Sequence, residues 1–239
     1  MRLGWALLLL VVTGCGGGGF FQEYEYEEEL YLSVDGSATL YVNSSIAALN
    51  ALRGTAFDER PTAFFPRTGL RDFFTTPATR VTRLTSSSRN DRRYVHVRLA
   101  VDDVRDLGDT APFGWSEYAF DADGELLVYR QTVGRSAGHT RGSAAWEGHE
   151  VVAFRIHVPS RIEYHNAGAG NLRRGNILVW EQPLGARLAG ESIAMEVRME
   201  PRSILNRTLW LFAASGLAVV LLFGGIVLWL LKGGGGGAP

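Results

Sequence analysis

Gly134-Arg135-Ser136-Ala137-Gly138 has the G-x-S-x-G spacing that holds a serine nucleophile on a sharp strand-to-helix turn. An elbow of this kind needs a helix directly after the serine, so that backbone N–H groups face the developing oxyanion. Here His139, Gly142 and Gly148 follow, and they read as an irregular loop. The expectation is a glycine-rich loop. A serine hydrolase using Ser136, completed by Glu150 and either His157 or His165, is the remote alternative. His149, His157 and His165 recur every eight residues, and imidazole is a common zinc ligand. Eight residues of continuous strand span roughly 26 Å, so surface histidines are expected and no metal site. Glu23, Glu25 and Glu27 to Glu29 form an acidic run, read as a charged edge strand that blocks stray pairing and not as a catalytic dyad. Arg89, Arg92, Arg93, Arg173 and Arg174 fall in predicted turns, where the guanidinium fork suits phosphate and carboxylate. Arg92, Arg93, Arg173 and Arg174 are the candidate lipid-headgroup contacts. No catalytic, metal-ligating or cofactor-binding residue is assigned, and the chain is expected not to be an enzyme.

The termini say where such a body would sit. Arg2, an apolar stretch from Leu3 to Val12 and small residues before Cys15 have the layout of a secretory signal. Val12-Thr13-Gly14-Cys15 resembles a bacterial lipobox, which makes Cys15 the lipidation site. An ordinary signal peptide with an incidental cysteine is the alternative. Residues 1–15 are therefore expected to be a signal peptide, and 16–21 a glycine-rich tether that lets the body stand away from a bilayer. From Thr208 to Leu231 runs a stretch with no formal charge, rich in Leu, Val, Phe and Ala, which predicts a transmembrane helix over 208–231. Trp210 and Trp229 sit near its ends as interface anchors. Lys232, the one lysine of the chain, follows it and opens a short cytosolic tail, 232–239. The expected location is the cell membrane, single-pass, with residues 22–200 outside the cytoplasm and the bilayer as first partner.

Composition bounds the rest. With 24 basic against 25 acidic side chains the net charge is −1, and without a basic excess nucleic acid drops out as a partner. A single cysteine excludes an intrachain disulfide. Period-two alternation dominates between the termini. Tyr24, Tyr26, Leu30, Leu32 and Val34, a turn at Asp35-Gly36, then Ala38, Leu40 and Val42 predict a hairpin. Ser44 or Ser45 caps a helix through Ile46, Leu49 and Leu52 that Gly54 ends. A second hairpin is read from Val81–Ser87 and Tyr94–Val101, after which Asp102 caps a short helix through Leu107. Strands follow around Tyr118 and Phe120, over Leu126–Val133, around Val152 to Val158, and around Ile193 to Met199. Arg161–His165 and Ile177–Trp180 are read as a hairpin about the glycine-rich turn Ala167–Gly170, with Asn166 and Asn176 capping it and Trp180 in the core. The fold class expected is α+β: a mainly antiparallel β ectodomain with a few short helices, plus the C-terminal transmembrane helix.

The segment Pro159–Leu184 carries a resemblance. Pro159 opening a strand, Asn166-Ala167 before a turn and a strand closing on Trp180, together with the lipobox and the C-terminal apolar stretch, resemble bacterial envelope lipoproteins of the LppM-like kind. The layout also resembles uncharacterised single-span membrane proteins of high-GC bacteria. The LppM-like resemblance implies an envelope role with a lipid or glycolipid ligand, and it transfers no functional residue. The function expected is an exported, membrane-anchored module that binds an envelope component. A protein–protein interaction or assembly module of a membrane complex is the alternative.

Overall fold

Alternation of apolar and polar residues through Tyr26–Leu32 (β1) and Ala38–Ser45 (β2) puts Tyr26, Leu30, Leu40 and Val42 on one face. The computed structural model describes residues 24–136, 146–168, 172–173, 175–202 and 204–233. β1 and β2 pair antiparallel from Tyr26↔Ser44 to Leu32↔Ala38. The turn between them places Gly36 at φ +89°, with Asp103 Oδ1 and a Phe120 ring carbon 3.4 Å from where a Cβ would stand. Gly36→Ala is expected to destabilise by about 1–2 kcal/mol, read as a lower denaturation midpoint.

Ser45 caps α1 (Ile46–Arg53) by accepting from the Ala48 N–H, and Gly54 closes it in the left-handed region. α2 (Arg67–Phe74) follows, a helix the sequence reading did not predict. β3 (Thr79–Arg89) and β4 (Arg92–Val101) form the second expected hairpin, with Asn90 and Asp91 both at positive φ in its two-residue turn. Asp103, one residue beyond the expected cap, caps a 3-10 turn over Val104–Asp109. Then come β5 (Ser116–Asp123), β6 (Leu126–Val133), β7 (Val151–His157), β8 (Ile162–His165), β9 (Leu172–Arg173), β10 (Ile177–Pro183), the unpredicted α3 (Leu184–Leu188), β11 (Ile193–Met199) and α4 (Ile204–Gly233).

The strands make two sheets, one of seven strands in the order β3-β4-β2-β1-β7-β10-β9 and one of four in the order β5-β6-β11-β8. All pairings are antiparallel except β1 with β7. Residues from both sheets share one buried cluster, including Leu40, Val97, Phe154 and Ile156 from the larger and Phe120, Tyr129, Met195 and Val197 from the smaller. The α+β, mainly antiparallel expectation holds.

Three expectations do not. β8 and β10 are not a hairpin, because β8 pairs with β11 in the smaller sheet while β10 pairs with β7 in the larger. Asn166 ties the two instead: its Oδ1 accepts from Trp180 Nε1 and from the Glu196 N–H, and its Nδ2 donates to the Ala194 carbonyl. The acidic run is not a sheet edge, since β1 lies at the centre of the larger sheet between β2 and β7. The edges are β3 and β9, and β3 is partly covered by α2, whose Arg67 and Arg71 donate to the carbonyls of Leu84 and Val81 at 3.0 and 3.5 Å.

The third correction concerns the C-terminus. A helix does form over Ile204–Gly233, but among the described residues no helix is long and apolar enough to cross a membrane. The side chains of α4 that the structure describes are those of 212–228, all exposed. Trp210, Trp229 and Lys232 have side chains outside the described residues, as do Cys15, the tether and residues 234–239.

Candidate functional site

The inward residues of the larger sheet build the core, so the outward positions of the same strands are free to do chemistry. On β1 these are Glu27, Glu29 and Tyr31, on β2 Tyr41 and Asn43, on β4 His96 and Arg98, on β3 Thr85 and Ser87, and on β7 Arg155 and His157. Tyr31 and Arg98 are exposed, while Tyr41, Asn43, His96, Arg155 and His157 are half-buried.

These side chains form one connected network across five strands. Ser87 Oγ lies 2.8 Å from His96 Nε2, and His96 Nδ1 lies 2.9 Å from Asn43 Oδ1. Asn43 Nδ2 donates to Glu27 Oε2 at 3.0 Å, and the other Glu27 oxygen faces an Arg155 nitrogen at 3.0 Å. Arg155 also approaches Glu29 at 3.4 Å, and Glu29 Oε1 receives His157 Nε2 at 2.7 Å and the Tyr31 hydroxyl at 3.2 Å. Tyr31 stacks on the His157 ring at 3.8 Å and meets Tyr41 edge-on at 5.5 Å, with the Arg98 guanidinium 5.4 Å from the Tyr41 ring. At the far side Arg155 lies near the Tyr24 ring, and the Tyr24 hydroxyl donates to Glu181.

Electrostatics follow from these contacts. Burial works to raise the Glu29 carboxyl, but the hydrogen bond from His157 and the charge of Arg155 outweigh it, and the group titrates below its ordinary value. Burial raises Glu27 despite Arg155 and Asn43. Burial, helped by the charge of Arg89, lowers His96. A depressed carboxyl contributes stability that is present above its unfolded value, near 4.5, and is lost as pH falls through its lower folded value. Glu29→Gln is therefore expected to make the acid loss of stability below about pH 4.5 shallower than in the parent chain, read from denaturation midpoints at stepped pH.

The described carboxylates of the acidic run are thus all engaged, Glu23 lying outside the described residues: Glu25 faces Arg92 and accepts from the Tyr94 hydroxyl, and Glu28 pairs with Arg53. The sequence-selected arginines among the described residues are engaged too. Arg92 stands between Glu25 and Glu150 at 3.0 and 3.3 Å, with the Trp146 ring 4.9 Å away. Arg93 is buried and donates to the carbonyls of Ala63 and Asp58. The Arg173 side chain and all of Arg174 lie outside the described residues. Ser136 follows β6, with 137–145 outside the described residues, and its expected partners are held elsewhere: Glu150 on Arg92 and His157 on Glu29. Exposed His149 lies 3.6 Å from Glu147. No group of metal-ligating side chains occurs among the described residues.

Two cavities bear on the lipid reading. The space between the sheets is packed, with an enclosed cavity of about 10 Å³ lined by Glu28, Tyr118, Tyr129, Gln131 and Phe154, room for about one water. An open groove of about 590 Å³ lies between α2 and the 3-10 turn, lined by Asp72, Asp106 and Asp109 with Phe73, Pro77 and threonines. Sequence reasoning missed the outward network because its members alternate with core residues on five separate strands. The available signal was the outward parity of β2 and β4, where Tyr41, Asn43, His96 and Arg98 replace the small polar residues usual on a solvated face.

No family model matches the chain, and no curated protein does. Among solved structures, the NMR structure of the folded domain of the Mycobacterium tuberculosis LppM protein is similar at a TM-score of 0.39 and 11% identity, covering 77% of this chain and 94% of that one. The resemblance to LppM is loose.

Proposed function

We propose that this chain is an exported envelope protein that recognises the polar, glycosylated headgroup of an envelope amphiphile on the outward face of its larger sheet. The observation that supports this most is the unbroken network from Ser87 to Tyr31. Its members are held in fixed geometry before any ligand arrives, which lowers the ordering cost of binding. Tyrosine and arginine supply flat apolar surface and hydrogen bonds together. Sugar rings present the complementary pair, with C–H faces over the Tyr31 and Tyr41 rings and hydroxyls toward Glu29, His157 and Arg98.

The packed interior favours headgroup recognition over burial of an acyl chain, because an enclosed space of about 10 Å³ holds no alkyl tail. A lipid on Cys15 would hold the chain at a membrane, where one acyl chain gives reversible anchoring that a second contact, here the headgroup, reinforces.

The test uses vesicles of phosphatidylglycerol with and without an oligosaccharide-bearing phospholipid of equal charge, so that non-specific adsorption cancels. Sedimentation should show preference for the glycosylated vesicles, and Tyr31→Ala with Tyr41→Ala should reduce that preference about tenfold or more. Equal binding to both vesicle types would remove the reading. Loss of the Arg98 side chain alone should produce a smaller drop, because its charge is exposed.

A further inference from the structure

One end of the network has a geometry that headgroup binding does not require. The Asn43 side-chain nitrogen donates to Glu27, which leaves its oxygen, an acceptor only, facing His96 Nδ1 at 2.9 Å. The proton of the neutral imidazole therefore sits on Nδ1, and Nε2 presents its lone pair to the Ser87 hydroxyl at 2.8 Å. This is the arrangement of nucleophile, base and orienting group that recurs on unrelated folds, with asparagine in the third place.

We infer that Ser87 is a nucleophile toward acyl esters, with His96 as its general base and Asn43 and Glu27 as positioning residues. Burial and the nearby charge of Arg89 favour the neutral imidazole that a base must be. Ser87 lies on the exposed part of β3, so the substrate class is an ester carried on a large or surface-bound molecule and not one drawn into a deep cleft.

Ser87 Oγ bonds to the ester carbonyl carbon as its proton passes to His96 Nε2. The tetrahedral adduct collapses with cleavage of the bond from carbonyl carbon to alkoxy oxygen, and His96 returns the proton to the departing alkoxide, leaving acyl-Ser87 and an alcohol. Water then attacks the acyl carbon with His96 again taking the proton, the bond from acyl carbon to Ser87 Oγ breaks as His96 returns that proton to Oγ, and the carboxylic acid leaves. Arg89, two residues along β3, supplies positive charge beside His96.

The inference is independent of the headgroup reading, because it is tested with small soluble probes and no vesicle. The full chain is treated with a fluorophosphonate and, separately, with p-nitrophenyl acetate, and the adduct is located by peptide mass spectrometry. The expected result is one adduct on Ser87, absent in Ser87→Ala and retained in Ser136→Ala and Ser88→Ala. His96→Gln should slow labelling about 100-fold or more. Asn43→Ala should slow it, and the double variant Asn43→Asp, Glu27→Gln, which keeps an acceptor for Nδ1–H and lets position 27 donate to position 43, should restore it. Circular dichroism confirms that each variant is folded. No adduct on the parent chain, an adduct on another serine, or Ser87 labelling at an unchanged rate in His96→Gln would overturn the inference.

Discussion

Replacing Arg53 with Met is expected to lower the free energy of unfolding by about 3–5 kcal/mol. Arg53 leaves α1 to enter the core at 5% exposure, where it pairs with Glu28, itself 4% exposed, and donates to the Tyr26 hydroxyl. Its guanidinium lies 3.4 Å from the centroid of the Trp115 ring, with Phe113 at 5.7 Å. Methionine keeps much of the packing volume but strands a carboxylate in an apolar interior, and the desolvation of that charge is the larger part of the loss. The double variant Arg53→Met, Glu28→Gln removes the stranded charge and should recover more than half of the loss. Equilibrium urea denaturation of the parent, both single variants and the double decides this. An equal loss in Arg53→Met and in the double would mean that the pair contributes packing alone.

Phe154→Ala is expected to cost about 3–5 kcal/mol through a different mechanism. Phe154 sits on the inward face of β7 at 1% exposure, 5.9 Å from the Trp115 ring, and lines the enclosed cavity beside Glu28 and Gln131. Removing the ring leaves a void that joins this cavity. Tyr129 and Leu30 stand on strands paired on both sides, so they cannot collapse into it and the full transfer and cavity terms remain. The denaturation midpoint should fall while the dependence on urea stays constant, because the surface exposed on unfolding hardly changes. A loss below about 1 kcal/mol would show that the two sheets do not share a tight core at this point.

What could be read from the chain divides by the range of the interaction. Hairpins and caps were legible because their determinants are local: the alternation of Leu30 and Leu32 with Ala38 and Leu40 about Asp35-Gly36, and Ser45 three residues before the Ala48 N–H it accepts from. The pairing of β1 with β7 was not, since Tyr26 meets Val152, 126 positions further along the chain, and a parallel pair has no turn to announce it. That missing contact is why Glu25 to Glu29 looked like an edge. Placed centrally, each of those carboxylates meets a partner from a distant strand or helix: Arg92, Arg155, Arg53 or His157. The same long-range pairing hid the candidate site. Asn43, Ser87 and His96 span 54 residues of sequence in no recognisable order, and only the register of β3, β4 and β2 stacks them. Misplacing β8 beside β10 has a similar cause: both strands flank the same glycine-rich stretch, and nothing local says that β8 leaves for the other sheet.

Recognition of a glycosylated headgroup by the outward face of the larger sheet is most directly tested by NMR titration of isotope-labelled protein with the water-soluble oligosaccharide of a glycosylated phospholipid, followed at ring and amide signals. The signals expected to move, saturably and together, are those of Tyr31, Tyr41, Asn43, Arg98 and His157. Movement confined to the acidic groove of Asp72, Asp106 and Asp109, with the face unperturbed, would contradict that assignment.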